Sequence, residues 1–292
     1  MAILVNFTPA IFRRAFFISA LGASSVFAAA PLPAPPELAQ IGLPSAAEVA
    51  QILTQFRQTG IQGDYYLGFE LRSMPRRGEE AVWEGKMWGS RNTNGTISRV
   101  ILADGANHEQ RLLIQNGPQP AVWRLAEGKV AALEVSALFK PVVPGVNLTA
   151  FDLQMPFLHW PDPLLERITK VRGRPAHVFV FRPPAAFAAQ YPGLGAVRVF
   201  LDTQYNAPTQ IESLNRDARV VKTLSLLDLK KVGEQWIPKS FEVRDEMTRD
   251  KTRLSVNAAA LGLALPTAVF IPAALGDLVT PPPSERLILL AP

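Results

Sequence analysis

Between residues 94 and 128 the chain carries four turn dipeptides, Asn94-Gly95, Asp104-Gly105, Asn116-Gly117 and Glu127-Gly128, at intervals of about eleven residues, the spacing of hairpins joining short strands. Glycine or asparagine at such a turn accepts the left-handed backbone that a two-residue hairpin loop requires. The segments between them, around 79–91, 97–103, 110–115, 119–126 and 129–135, are therefore expected to be strands of one antiparallel meander. A further strand precedes them: from Asp64 the apolar period becomes two, with Tyr65, Leu67, Phe69 and Leu71 on one face and Tyr66, Glu70 and Arg72 on the other.

The second half repeats the pattern. Alternation returns at 175–183, 195–203, 208–214, 218–230, 234–247 and 251–258. In the run 177–181, His177 to Phe181, both faces are apolar, as in a strand covered on both sides. Between the halves, residues 140–170 lose the alternation and combine five prolines with Phe151, Leu153, Met155, Phe157, Leu158 and Trp160. A loop with short helical turns, packed by its own aromatics, is expected there. Thr149 ahead of Asp152 can cap one turn, and Leu164-Leu165 mark another. With about eleven or twelve strands and no polar linker between the halves, the simplest architecture is mainly β, one large curved antiparallel sheet curling round a few helices. Two separate domains are the alternative.

Ahead of the strands, Ser45 and Glu48 form a capping box, and Val49, Ile52, Leu53 and Phe56 share one helical face before Gly60. Residues 1–30 read as an export signal: Arg13-Arg14, an apolar run from Ala15 to Phe27, then Ala28-Ala29-Ala30, with cleavage expected near Ala28 or Ala30. Residues 31–44 read as a Pro/Ala-rich tether, 45–275 as the folded domain, and 276–292 as a C-terminal tail. The apolar run is shorter than the roughly 20 residues of a spanning helix.

The 292 residues are 48% hydrophobic and only 19% charged, with 26 prolines, a mix that suits short strands joined by turns. Thirty basic residues against 25 acidic form no clustered stripe with interleaved aromatics, which argues against a nucleic-acid partner. With no cysteine, disulfides, thiolate catalysis, Cys-ligated metals and a lipid-modified N-terminal cysteine are excluded. His108, His159 and His177 lack zinc-site spacing, so no metal or other cofactor is expected. Nucleophile elbows and phosphate loops are missing. The carboxylate pairs Glu79-Glu80 and Asp245-Glu246 are strand neighbours that point to opposite faces and cannot share a substrate. No catalysis is expected.

The order of these parts, with the stretches from Gly145 to Asp152 (GVNLTAFD), Phe157 to Asp162 (FLHWPD), Val171 to Arg174 (VRGR), Phe200 to Asp202 (FLD), Gln235 to Pro238 (QWIP), Thr252 to Leu254 (TRL) and Phe270 to Pro272 (FIP), resembles the LolA-like outer-membrane lipoprotein-sorting family over roughly residues 45–275. The resemblance implies a half-open β-barrel of the LolA/LolB kind with a helical lid over a hydrophobic cavity. A periplasmic, non-catalytic carrier follows, a monomeric chaperone that takes acyl chains of lipoproteins or other lipid from an inner-membrane donor to an outer-membrane acceptor. Val49, Ile52, Leu53, Phe56, Phe151, Phe157 and Trp160 would form the lid, with Phe69, Trp83 and Trp123 lining the cavity. For any single tryptophan, ordinary core packing is the favoured reading. Related folds also serve as envelope lipid or stress sensors, the second reading; a lipid hydrolase is a third.

Overall fold

The computed structural model describes residues 43–106 and 108–290. The expected signal and nearly all of the tether lie outside them. Strands β1 (Asp64–Met74), β2 (Val82–Asn92), β3 (Gly95–Ala103), β4 (Glu109–Gln115), β5 (Ala121–Ala126) and β6 (Lys129–Ala132) form the first meander. The second consists of β7 (Leu164–Val171), β8 (Arg174–Phe181), β9 (Ala196–Asp202), β10 (Pro208–Leu214), β11 (Val220–Val232), β12 (Gln235–Asp245) and β13 (Lys251–Leu263). β1 pairs with β13, which joins both meanders into a single curved antiparallel sheet of order β6-β5-β4-β3-β2-β1-β13-β12-β11-β10-β9-β8-β7. The sheet is not closed, since β6 and β7 are its edges, and β14 (Ile288–Leu289) adds a short fourteenth strand against β13.

All four turn dipeptides connect successive strands of the first meander. At the β5–β6 turn both Glu127 (φ 51°) and Gly128 (φ 72°) are left-handed, the geometry that matches the twist of the flanking strands. The inner face is defined by alternate residues. Tyr65, Leu67, Phe69 and Leu71 on β1 stand opposite Gly89, Met87, Gly85 and Trp83 on β2. The two glycines leave room for rings: a Cβ at Gly85 would lie 2.1 Å from the Phe69 ring, and one at Gly89 2.0 Å from that of Tyr65.

Helix α1 (Ala46–Gln58) starts at the Ser45–Glu48 capping box and lays Leu53 and Phe56 into the inner core, with Val49 and Ile52 packed beside them. Its Arg57 Nε donates to the Leu158 carbonyl at 2.7 Å, tying it to the 3-10 turn 156–159. Helix α2 (Ala150–Gln154) begins at a second capping box, Thr149 with Asp152. The third helix, α3 (Ala185–Gln190), lies between β8 and β9.

Three expectations need correction. Leu164-Leu165 do not start a helical turn but open β7, which the sequence hid because a bulge between Leu165 and Arg167 breaks the alternation: Leu165 pairs with Phe179 and Ile168 with His177. Among the described residues the strand count rises to fourteen, through β7 and β14. Thirdly, residues 276–290 of the segment read as a tail pack onto the molecule, as the end of a strap that begins within the expected domain. Leu265, Val269, Phe270, Leu275, Val279 and Leu287 cover Tyr66, Trp88, Ile101 and Leu113 on the outer face. Arg99, wholly buried, clamps this strap by donating to the carbonyls of Ala274 (2.9 Å), Leu275 (3.0 Å) and Asp277.

The strap ends in a seam of the sheet. β12 pairs with β13 only from Ser240↔Ser255 to Arg244↔Lys251, after which β13 bulges at Asn257 and continues with β1 alone. β14 enters beside Ala258 and Ala259, the Leu290 N–H donates to the Asn257 carbonyl at 2.8 Å, and the Leu290 side chain joins the inner core.

Candidate functional site: the inner face and its aromatic insert

The inner face receives the insert 135–160. Its α2 crosses from one meander to the other: Gln154 Nε2 donates to the Gln115 carbonyl of β4 at 3.1 Å, and Asp152 Oδ2 lies 2.8 Å from Lys222 Nζ on β11. Met155, left-handed at φ 53°, ends α2 and turns the chain into the 156–159 turn. Phe151, Leu153, Phe157, Leu158 and Trp160 are thereby driven into the core, with Phe157 1% exposed and Trp160 6%. The insert is the centre of the inner core more than a cover resting on it.

Rings from both ends of the sheet meet the insert. Phe139, after β6, stacks on Tyr191, between α3 and β9, with centroids 3.6 Å apart and planes 5° apart, and stacks on Phe151 at 4.5 Å. Phe187 of α3 stands edge-on to Trp160 at 5.0 Å, and Phe157 packs against Phe181 of β8 at 5.9 Å. Phe139, Phe187 and Tyr191 remain half-buried, so this cluster is where the inner core reaches solvent.

Of the residues singled out from sequence, Val49, Ile52, Leu53, Phe56, Phe69, Trp83, Phe151, Phe157 and Trp160 all belong to or pack against this inner core. Trp123 does not. It sits on the outer face against Leu275, because its β5 neighbour Val122 takes the inner position and adjacent strand residues face opposite ways. Phe139, Phe179, Phe181, Phe187 and Tyr191 were not singled out. The apolar run 177–181 was the available signal for two of them; Phe139 and Tyr191 come together only through the fold.

Little room is left inside. The space between Phe151, Asp152, Met155, Phe157, Ile211, Ser213, Lys222 and Leu224 is about 10 Å³, at the lower limit for one water molecule and far below the roughly 300 Å³ of a ligand pocket. Elsewhere, a polar groove of about 600 Å³ lies on the outer face between β10, β11 and β12, lined by Arg172, Glu212, Glu242, Arg244 and Glu246 among others. Its charges are largely matched, as in Arg198–Glu212 (3.0 Å), Lys251–Glu242 (2.9 Å) and Arg249–Glu246 (2.8 Å).

The carboxylate pairs weighed for acid–base chemistry have structural partners. Glu80 pairs with Arg72, and Asp245 accepts from the backbone N–H groups of Met247 and Thr248. Burial lowers the pKa of His177, and burial with the nearby Arg57 charge lowers that of His159, so both rings favour the neutral form. Among the described residues no group of three or more His, Cys, Asp or Glu could hold a metal ion, and no helix is long and apolar enough to cross a membrane.

A family model described only as uncharacterized-protein-like matches residues 145–277, the larger part of the insert, the whole second meander and the start of the strap. No curated protein matches the sequence. Among solved structures, the chain is similar to an outer membrane lipoprotein-sorting protein domain from Vibrio parahaemolyticus (TM-score 0.66, 16% identity, 78% of this chain and 97% of that one). It is similar also to a DUF1329 family protein from Desulfovibrio piger (TM-score 0.65, 15% identity, 78% and 96%) and to a LolA superfamily protein from Nitrosomonas europaea (TM-score 0.60, 14% identity, 78% and 98%). The fold is LolA-like, as the sequence resemblance implied.

Proposed function

We propose that the protein is a non-catalytic carrier that holds acyl chains of lipoproteins or of other lipids against the inner face of its sheet, acting in the periplasm after its signal is removed. The observation that carries this reading is the aromatic insert. A curved, unclosed sheet offers an apolar inner face, and the chain fills it with side chains drawn from separate helical turns instead of a second sheet. Such turns can be displaced without breaking strand pairing. An acyl chain taking the place of Phe139, Phe157, Trp160 and their neighbours gains about 0.8 kcal/mol for each CH₂ removed from water. The insert's backbone meets the sheet through side-chain hydrogen bonds, Arg124 donating to the Val142 carbonyl at 3.2 Å, Ser73 to the Gly145 carbonyl, and the Asn147 N–H to Thr252 Oγ1 at 2.7 Å, while its Pro141↔Thr149 bridge lies within the insert itself.

The test is uptake of a fluorescent fatty-acid probe by the mature protein, with native mass spectrometry to identify lipid co-purified from a periplasmic extract. The double variant Phe157→Ala, Trp160→Ala is expected to change probe affinity at least tenfold while circular dichroism retains the β signature. Unchanged uptake in a folded variant removes these residues from the site. A wild-type protein that neither carries lipid nor takes up the probe removes the carrier reading and leaves a sensor of the same fold.

A further inference from the structure

One ion pair on the inner face has no role in the scheme above. Lys222 lies on β11, in register with Ser213 of β10 and Asp245 of β12, and borders the small space lined by Phe151, Met155, Phe157, Ile211 and Leu224. Its ammonium sits 2.8 Å from Asp152 Oδ2, with the two side chains 18% and 6% exposed. Asp245 makes no ion pair with it among the described residues; its Oδ1 is turned to the N–H groups of Met247 and Thr248, both at 2.8 Å.

The two partners belong to different bodies. Lys222 is fixed near the start of β11, between β10 and β12. Asp152 is fixed to the insert, where the same Oδ2 accepts from Thr149 N–H (2.9 Å) and Thr149 Oγ1 (2.6 Å) as the cap of α2. When an acyl chain displaces the insert, this local cap carries the carboxylate away with α2. The lysine stays behind, facing Ile211 and Leu224 without a counter-charge, and a half-buried unpaired ammonium is costly. An oxyanion attached to the incoming chain would restore the pair at that spot.

We infer that Lys222 is the head-group subsite of the inner pocket, selecting amphiphiles that carry a carboxylate or phosphate beside the acyl chain, and that Asp152 occupies this subsite while the insert is seated. The inference rests on the carrier reading and narrows it to an anionic cargo. Ser213, which also lines the space, supplies a hydroxyl donor beside the same oxyanion.

The experiment compares binding of 11-(dansylamino)undecanoic acid with its methyl ester to the mature protein, to K222M and to D152N. The wild type is expected to bind the acid about tenfold tighter than the ester, the size of one charge-assisted hydrogen bond. K222M should bind both with the affinity of the ester, K222R should keep the preference, and D152N, lacking the internal rival but able to cap α2, should bind the acid more tightly than wild type. Equal binding of acid and ester by wild type, or a preference that survives in folded K222M, overturns the inference while leaving the carrier intact. Failure of both probes overturns the carrier reading and this one with it. Displacement of the dansyl acid by lysophosphatidic acid against oleic acid then assigns the oxyanion to a phosphate or a carboxylate.

Discussion

Replacing Arg99 by methionine isolates what holds the C-terminal strap on the outer face. Arg99 has no exposed surface, and its guanidinium is spent on backbone carbonyls of residues 274, 275 and 277 instead of on a carboxylate. Burial and the neighbouring Arg111 charge push its pKa down, against the opposing pull of the Asp277 and Glu109 charges, so the site holds a cation at a cost that those carbonyls help to offset. Arg111 also reaches Gly276 and Asp277, and the Ala274 carbonyl accepts the Asp277 N–H at 3.0 Å as well, which leaves Leu275, at 3.0 Å against 3.4 Å, dependent mainly on Arg99. Methionine keeps most of the buried stem, strands the Leu275 carbonyl at about 1–3 kcal/mol and takes one of two partners from the Ala274 and Asp277 carbonyls at about 0.5–1 kcal/mol each, for an expected loss of about 2–4 kcal/mol. Urea denaturation measures the global value, and amide exchange over 266–277 shows whether the strap opens before the sheet does. A loss below about 1 kcal/mol with unchanged exchange in the strap would refute the reasoning, because the carbonyls would then have found other partners.

Gly85→Ala forces a methyl group against the Phe69 ring and should cost about 1–3 kcal/mol in urea denaturation; adding Phe69→Ala should make the glycine change nearly neutral, and a cost that persists would place the clash elsewhere. His177 is held neutral by burial below its ordinary value of 6.5. The folded state therefore resists protonation, and its stability is full above pH 6.5 and falls as pH drops, by up to about 1.4 kcal/mol per pH unit for this ring. His177→Phe should flatten the stability profile between about pH 7 and 5, leaving the slope from His159, which burial and Arg57 depress likewise; an unchanged profile would show that burial of the His177 ring does not matter to folding.

How much was legible depended on range. Asn94-Gly95 and Glu127-Gly128 announced their hairpins because turn chemistry is a property of two or three residues, Gly95, Glu127 and Gly128 all taking a positive φ. The Ser45–Glu48 and Thr149–Asp152 caps could be read for the same reason, each being closed within three residues. β7 escaped because its bulge shifts Ile168 by one position, so a strand with one inner face shows apolar spacing like that of a helix. β14 escaped because two residues carry no period at all. In the candidate site, the aromatic content of 151–160 was plain, but Trp123 was given to the wrong face: alternation orders residues into two sets without saying which set is inward.

The amino-acid sequence by itself determined the two meanders, the amphipathic helix between tether and sheet, and the greasy insert that interrupts the strands, since turn chemistry and period-two patterning act over a few residues. Only the tertiary structure decided that β1 and β13, nearly 200 residues apart in the chain, make the joint between the meanders, that the C-terminal strap lies outside and not inside the sheet, and that Asp152 of the insert meets Lys222 of β11. Those outcomes turn on which face finds enough apolar surface to cover it and which buried charge finds a partner, and both are settled by residues far apart in sequence.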